Sequence, residues 1–230
     1  MPGLSVSVAT PFRHDTFTES ASAFHRRALL NDPTPRVVEC HTDDPTLVLG
    51  SVQRYLIVDD GALARHGVDV TRRHSGGGAV LVEPAGMVWF DVVVPADDPR
   101  FLDSAADVWR SMQWMGTQIR IALEYLGVDD VAIHDGPMVC SEWCRLVCFA
   151  GIGPGEVVHG ERKLVGISQR RTRVGSRFQC AVHTRWNPEL LVSLLVSPRP
   201  DVAELPDVAT VDARVASGLP AALVAVLNAL

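Results

Sequence analysis

The chain has 230 residues, 47% of them apolar and 21% charged, which excludes a disordered polymer and leaves enough length to bury a sizeable core. Its 21 basic residues are 20 Arg and a single Lys, Lys163, against 27 acidic residues. A formal charge of −6 argues against a protein that coats nucleic acid, and one Lys excludes a Lys-rich surface. The N-terminal MPGLSVSVATPFRHDTF lacks a basic stretch followed by an apolar one, and no run approaches about 18 apolar residues. No secretory leader and no membrane association are therefore expected. Five Cys, an odd number, favour reduced thiols and a cytoplasmic location. Cys140, Cys144 and Cys148 are spaced C-x3-C-x3-C. Zinc sites need a fourth ligand, and packing as small apolar residues is the commoner use, so no metal is expected.

In chain order, 17–30 reads as a helix with Thr18 as its cap, and 36–40 and 46–49 as short strands. A helix over 55–66 ends at Gly67, and 68–72 alternates like a strand. Segments 79–82 and 87–94 suggest a hairpin around Glu83-Pro84-Ala85-Gly86, stopped by Pro95. The longest helical pattern spans 101–126. Strands are expected at 145–149, 156–158 and, after the turn HGER, 163–169. Helices follow over 188–195 and after Pro220, with 197–219 the best linker candidate. The whole reads as one α/β domain over 1–230, with a mixed, largely antiparallel sheet flanked by helices.

Two segments carry chemistry. In Arg72-Arg73-His74-Ser75-Gly76-Gly77-Gly78-Ala79-Val80, three Gly let the backbone approach a ligand and turn N–H groups toward an anion. The two Arg add charge-assisted donors for phosphate or carboxylate; a flexible turn with solvated Arg is the alternative. In the second, Lys163-Leu164-Val165-Gly166-Ile167-Ser168-Gln169, a turn delivers the only Lys to the start of an apolar strand, and Gly166 leaves room opposite it. An ammonium is a compact donor that fits between two anionic groups, whereas a solvated edge-strand Lys would do nothing.

Together these segments resemble the lipoate–protein ligase family, which includes biotin ligases and octanoyltransferases. RRHSGGGAV (72–80) and KLVGISQ (163–169) match its two hallmark motifs, and Leu47-Val48-Leu49-Gly50-x-x-Gln53 resembles the strand that opens its catalytic core. The match spans about 40–195, with no room for a C-terminal accessory domain. The resemblance implies ATP-dependent (with Mg2+) activation of lipoate or octanoate to an acyl-adenylate. The acyl group then passes to a Lys of a lipoyl carrier domain, such as glycine-cleavage H protein or a 2-oxoacid dehydrogenase subunit. It also implies that Arg72, Arg73, Ser75, Gly76, Gly77, Gly78, Ala79, Gly166 and Ser168 line the acyl-adenylate site, with Lys163 bonding the acyl carbonyl and the phosphate. Arg170, Arg171, Arg173, Arg177 and Arg185 make the following stretch locally basic, suited to ATP phosphates or an acidic carrier.

The chain departs from the family pattern at Val82, where a His is usual, and at Ala181-Val182, in place of a His-Gly pair. Cys148, 15 residues before Lys163, resembles the nucleophile of cysteine-dependent octanoyltransferases, which would take the acyl group from acyl carrier protein as a thioester. Gly78 favours a ligase and Cys148 a transferase. Val82 and Ala181-Val182 leave a third expectation open, a non-catalytic member that binds an acyl ligand or a carrier domain.

Overall fold

The computed structural model describes residues 9–230. Its centre is a seven-stranded sheet in the order β1 (Arg13–Thr18), β2 (Arg36–His41), β6 (Met87–Pro95), β12 (Gly175–His183), β11 (Arg162–Arg171), β10 (Val157–His159) and β7 (Val131–Ile133). β1 and β2 run parallel and every other neighbouring pair antiparallel. A smaller sheet holds β3 (Thr46–Leu49) between β4 (Asp69–Arg72), parallel to it, and β5 (Val80–Val82), antiparallel. This is the mixed, largely antiparallel α/β arrangement expected from the sequence.

Alternation along the strands decides the layers. On β6, Val88, Phe90, Val92 and Val94 pack against α4 (Val108–Tyr125) and α6 (Ala213–Asn228). Trp89 and Val93 face the other way, toward Ala21 and Phe24 of α1 (Ala21–Arg26) and toward Val48 and Val82 of the small sheet. Val48 thus looks inward from β3, while Leu47 and Leu49 pack on α2 (Asp60–His66) and α5 (Pro188–Ser193). Phe90 and Val92 are fully buried, and each such side chain stabilises the fold by roughly 1.5–3 kcal/mol. A one-residue slip of β6 would turn that whole set toward the small sheet, so its register is tightly specified.

Several expectations are corrected. Phe17 and Thr18 belong to β1, and the helix after it is capped by Ser20, whose Oγ accepts from Ala23 N. β5 and β6 do not form a hairpin: the four residues between them carry the chain from one sheet to the other. The helix expected over 101–126 is two, α3 (Leu102–Ala105) and α4, because Asp107 takes an extended conformation and caps Trp109 N. Segment 145–149 is not a strand. It ends in a 3-10 turn at Cys148–Ala150, with one bridge between Val147 and Ala79. β12 has no counterpart in the sequence expectations. α6 begins at Ala213, capped by Asp212, not at Pro220, and Val208, Ala209 and Val211 are buried, so 197–219 is no linker. Cys140 and Cys144 are joined in a disulfide, against the expectation of reduced thiols; Cys40, Cys148 and Cys180 are free. Among the described residues no helix is long and apolar enough to cross a membrane.

Candidate functional site

The two sheets enclose a cleft with about 450 Å³ of non-atom space, its open mouth included. Val48, Val80, Val82, Met87, Trp89 and Ile167 make its walls apolar, and Arg73, Cys148, Gly166 and Ser168 also line it. Val82 and Ala181, which replace the expected histidines, are both wall residues, so the substitutions leave the cleft more apolar.

Lys163 is brought against the Cys148 and Gly166 part of the cleft wall by a bulge. On β10, Val157 pairs with Val165 but Val158 pairs with Lys163, so β11 carries one extra residue there. The slip brings the Lys163 side chain to the face of Gly166, where a Cβ on Gly166 would lie 3.4 Å from Lys163 Cε and 3.1 Å from the Phe149 ring. The ammonium is buried and donates to Cys148 O at 3.0 Å, Gly151 O at 3.1 Å and Glu156 Oε2 at 2.7 Å, which uses all three of its protons. It also lies 4.8 Å from the centre of the Phe149 ring and 3.9 Å from Cys148 Sγ. Burial pulls the Lys163 pKa down, but the neighbouring Cys148 and Glu156 and the hydrogen bond to Glu156 outweigh it, so the pKa is raised. Glu156 is itself held by Gly153 N at 2.7 Å and Ile167 N at 3.0 Å.

The glycine loop is clamped from behind. Arg73, 5% exposed, donates to Gly76 O at 2.7 and 3.2 Å, Gly78 O at 2.8 Å and Val48 O at 3.3 Å. Its guanidinium therefore shapes the loop, and burial lowers its pKa. Ser75 gives its proton to Gln179 Oε1 at 2.8 Å, so the 2.9 Å bond to Ser168 is donated by Ser168. These two contacts latch the loop onto β11 and β12. Gly78 is required: a Cβ there would lie 2.6 Å from Cys148 N and from Val147 C, where Ala79 N donates to Leu146 O and Cys148 N to Ala79 O. Gly77 has φ 98°, a left-handed conformation that favours Gly, and Gly76 has open space beside it. Gln53, from the LVLG-x-x-Q motif, accepts from Gly50 N and donates to Arg145 O and Leu146 O, tying the start of the core to the same segment.

Not every expected residue converges. Arg72 points away and stacks on Tyr55 at 4.6 Å. Arg177 is buried, ion-paired with Asp91 and bonded to Phe24 O and Arg27 O at the end of α1, so it is structural and not a ligand for phosphate. Arg185 pairs with Glu83, while Arg170, Arg171 and Arg173 are exposed. Sequence reasoning missed Gln179 and His25, which close the end of the cleft beside Trp89. Their signal, polar residues in otherwise apolar segments, is weak without a fold to place it.

Among solved structures, a putative lipoate protein ligase from T. acidophilum with bound lipoic acid shares 19% identity over 95% of this chain and 86% of its own, with TM-score 0.67. A lipoate-protein ligase A bound with ATP shares 18% identity over 96% and 86%, at TM-score 0.66. The bipartite lipoate protein ligase of Thermoplasma acidophilum, studied with its E2 lipoyl domain, shares 17% identity over 94% and 84%, at TM-score 0.70. At these identities the likeness shows the fold. A comparison with curated proteins finds no match. The sequence pattern described as lipoyl protein ligase A/B catalytic domain matches residues 20–219, nearly the whole chain, and the chain belongs to that family.

Proposed function

We propose that this protein activates lipoate or octanoate with ATP to an acyl-adenylate and transfers the acyl group to a Lys of a lipoyl carrier domain. The observation that carries the reading is the buried ammonium of Lys163, held against Cys148, whose side of the apolar cleft packs on the glycine loop at Gly78. The relatives support it: one holds lipoic acid, one ATP, and one works with an E2 lipoyl domain. By that parallel the carrier is the lipoyl domain of a 2-oxoacid dehydrogenase subunit.

In the first step the acid's carboxylate attacks the α-phosphorus and pyrophosphate leaves. In the second the carrier amine attacks the acyl carbonyl, AMP leaves, an amide forms and the amine loses a proton. Both steps gather negative charge on oxygens near Lys163. Its protons rest on two neutral carbonyls and one carboxylate. An anionic oxygen makes a stronger charge-assisted bond than a carbonyl, so the developing charge displaces Cys148 O or Gly151 O from the ammonium. Gly76 offers open backbone for the nucleotide phosphates. Mg2+ would be carried on the triphosphate, whose oxygens are its usual ligands.

The test is lipoate-dependent pyrophosphate release from ATP. Lys163→Arg is expected to abolish it while leaving the circular dichroism spectrum unchanged; retained turnover refutes the role of Lys163. A second reading has one observation of its own, Cys148 Sγ in the cleft wall 3.9 Å from Lys163 Nζ. Here the thiolate attacks the thioester of an acyl carrier protein, the carrier thiol leaves, and the acyl group passes to the lipoyl domain. An octanoyl mass increment on Cys148, absent in Cys148→Ser, supports it; full ligation by Cys148→Ser excludes it.

A further inference from the structure

The end of the cleft remote from Lys163 holds a polar group that the chemistry above does not use. His25 on α1 lines the cleft, is 5% exposed, and packs on Trp89 with ring centres 4.7 Å apart. Its Nδ1 lies 3.2 Å from Gln179 Nε2, and Gln179 Oε1 is already committed as acceptor to Ser75. Gln179 Nε2 is a donor, so Nδ1 must accept, and the ring proton resides on Nε2. Burial, with the charges of Arg177, Arg73 and His74, lowers the His25 pKa to about 3, so the ring is neutral at physiological pH. His25 Nε2 is buried and has no hydrogen-bond partner. An unpartnered buried N–H is costly to fold, and a ligand acceptor removes that cost.

We propose that His25 is a specificity-determining residue. Its Nε2–H donates to an acceptor atom at the far end of the bound acyl chain, so that the cleft favours an acid with a polar or sulfur-bearing tail over a plain alkanoic acid. This rests on the acyl-ligand reading above. Gln179 stands opposite Ser168 on β11, five residues beyond Lys163, roughly 15 Å along the strand. In this proposal the carboxyl group sits near Lys163 and the chain runs along β11, which brings its tail beside Gln179 and His25. The wall residues Val48, Val82, Met87 and Trp89 accept methylene groups, and Trp89 Nε1 is already given to Asp91.

The experiment is calorimetric titration of octanoate, lipoate and ω-hydroxyoctanoate into the wild type and into His25→Phe, which keeps an aromatic ring against Trp89 but has no donor. The wild type is expected to bind ω-hydroxyoctanoate and lipoate more tightly than octanoate, by roughly three- to tenfold for the hydroxy acid, the factor carried by one neutral hydrogen bond. In His25→Phe the preference should vanish while octanoate binding is kept. Gln179→Met, which leaves His25 but releases its tautomer, should reduce the preference in the same direction and guards against a His25→Phe that fails to fold. Octanoate binding with an unchanged preference in both variants overturns the assignment of His25 alone. If none of the three acids binds the wild type, the acyl-ligand reading falls and this inference with it.

Discussion

Replacing Glu156 by Gln tests the electrostatics around Lys163 without changing shape. The Lys163 and Glu156 side chains are 3% and 6% exposed, and their 2.7 Å contact is the ammonium's only anionic hydrogen bond. Removing one partner of a buried pair leaves the other charge uncompensated, at a cost of about 3–5 kcal/mol. A domain of this size loses about 2–4 °C of Tm per kcal/mol, so the drop at pH 7 is expected to be on the order of 10 °C. The pH dependence supplies an independent check. In the wild type the Lys163 pKa is raised above 10.5, so its stabilisation is fully present below pH 10.5 and is lost only as pH rises through the higher folded value. Without Glu156 one raising neighbour and the raising hydrogen bond are gone while burial stays, so the folded pKa of Lys163 is lowered relative to wild type. The variant's deficit is then largest at pH 7 and shrinks as pH rises through that lowered value. Urea denaturation at pH 7, 8.5 and 10 reads both effects. A variant within about 0.5 kcal/mol of wild type, the range of ordinary surface substitutions, would refute the buried-pair reasoning.

Gly78→Ala should destabilise by about 1–3 kcal/mol or more, because its Cβ meets backbone atoms that cannot turn aside; urea midpoints measure this, and a neutral result means the 147–148 segment is not fixed. Arg73→Lys replaces a planar fork by a single compact ammonium that cannot span the carbonyls of Val48, Gly76 and Gly78, and should weaken acid binding by about tenfold, the scale of one charged hydrogen bond, with little effect on far-UV circular dichroism. The His25 pKa lies near 3, below its unfolded value of 6.5, so stability is full above pH 6.5 and falls between pH 6.5 and 3 by about 1.4 kcal/mol per unit. His183, lowered to about 4, adds to the slope down to that pH. His25→Phe should make the acid slope measurably shallower, and an identical slope would count against a neutral buried His25.

What the sequence reveals here depends on whether a residue's role is local. The glycine loop and the Lys strand are contiguous motifs, and both stand at the cleft. β3 and β11 are visible because each holds an uninterrupted apolar run, 47–49 and 164–167. β12 was not, because Arg177 and Gln179 occupy inward positions that only Asp91, Ser75 and His25 on other elements make tolerable. The face on which Lys163 lies depends on a bulge, which appears only when β10 is paired beside β11. The turn-like Glu83-Pro84-Ala85-Gly86 suggested a hairpin, since residue types that reverse a chain also let it cross between layers.

Arg73 has a further consequence, which follows from the planarity of the peptide group. In a trans peptide the C=O and N–H point in opposite directions. By drawing in the carbonyl of Gly76, the guanidinium turns the N–H of Gly77 outward. A buried cation thus acts through a peptide unit: it polarises that bond and passes positive character to the loop's outer side, while the guanidinium itself stays covered. Exchange of the Gly77 amide with solvent deuterium should respond to any change at Arg73, in a protein with no ligand bound at all.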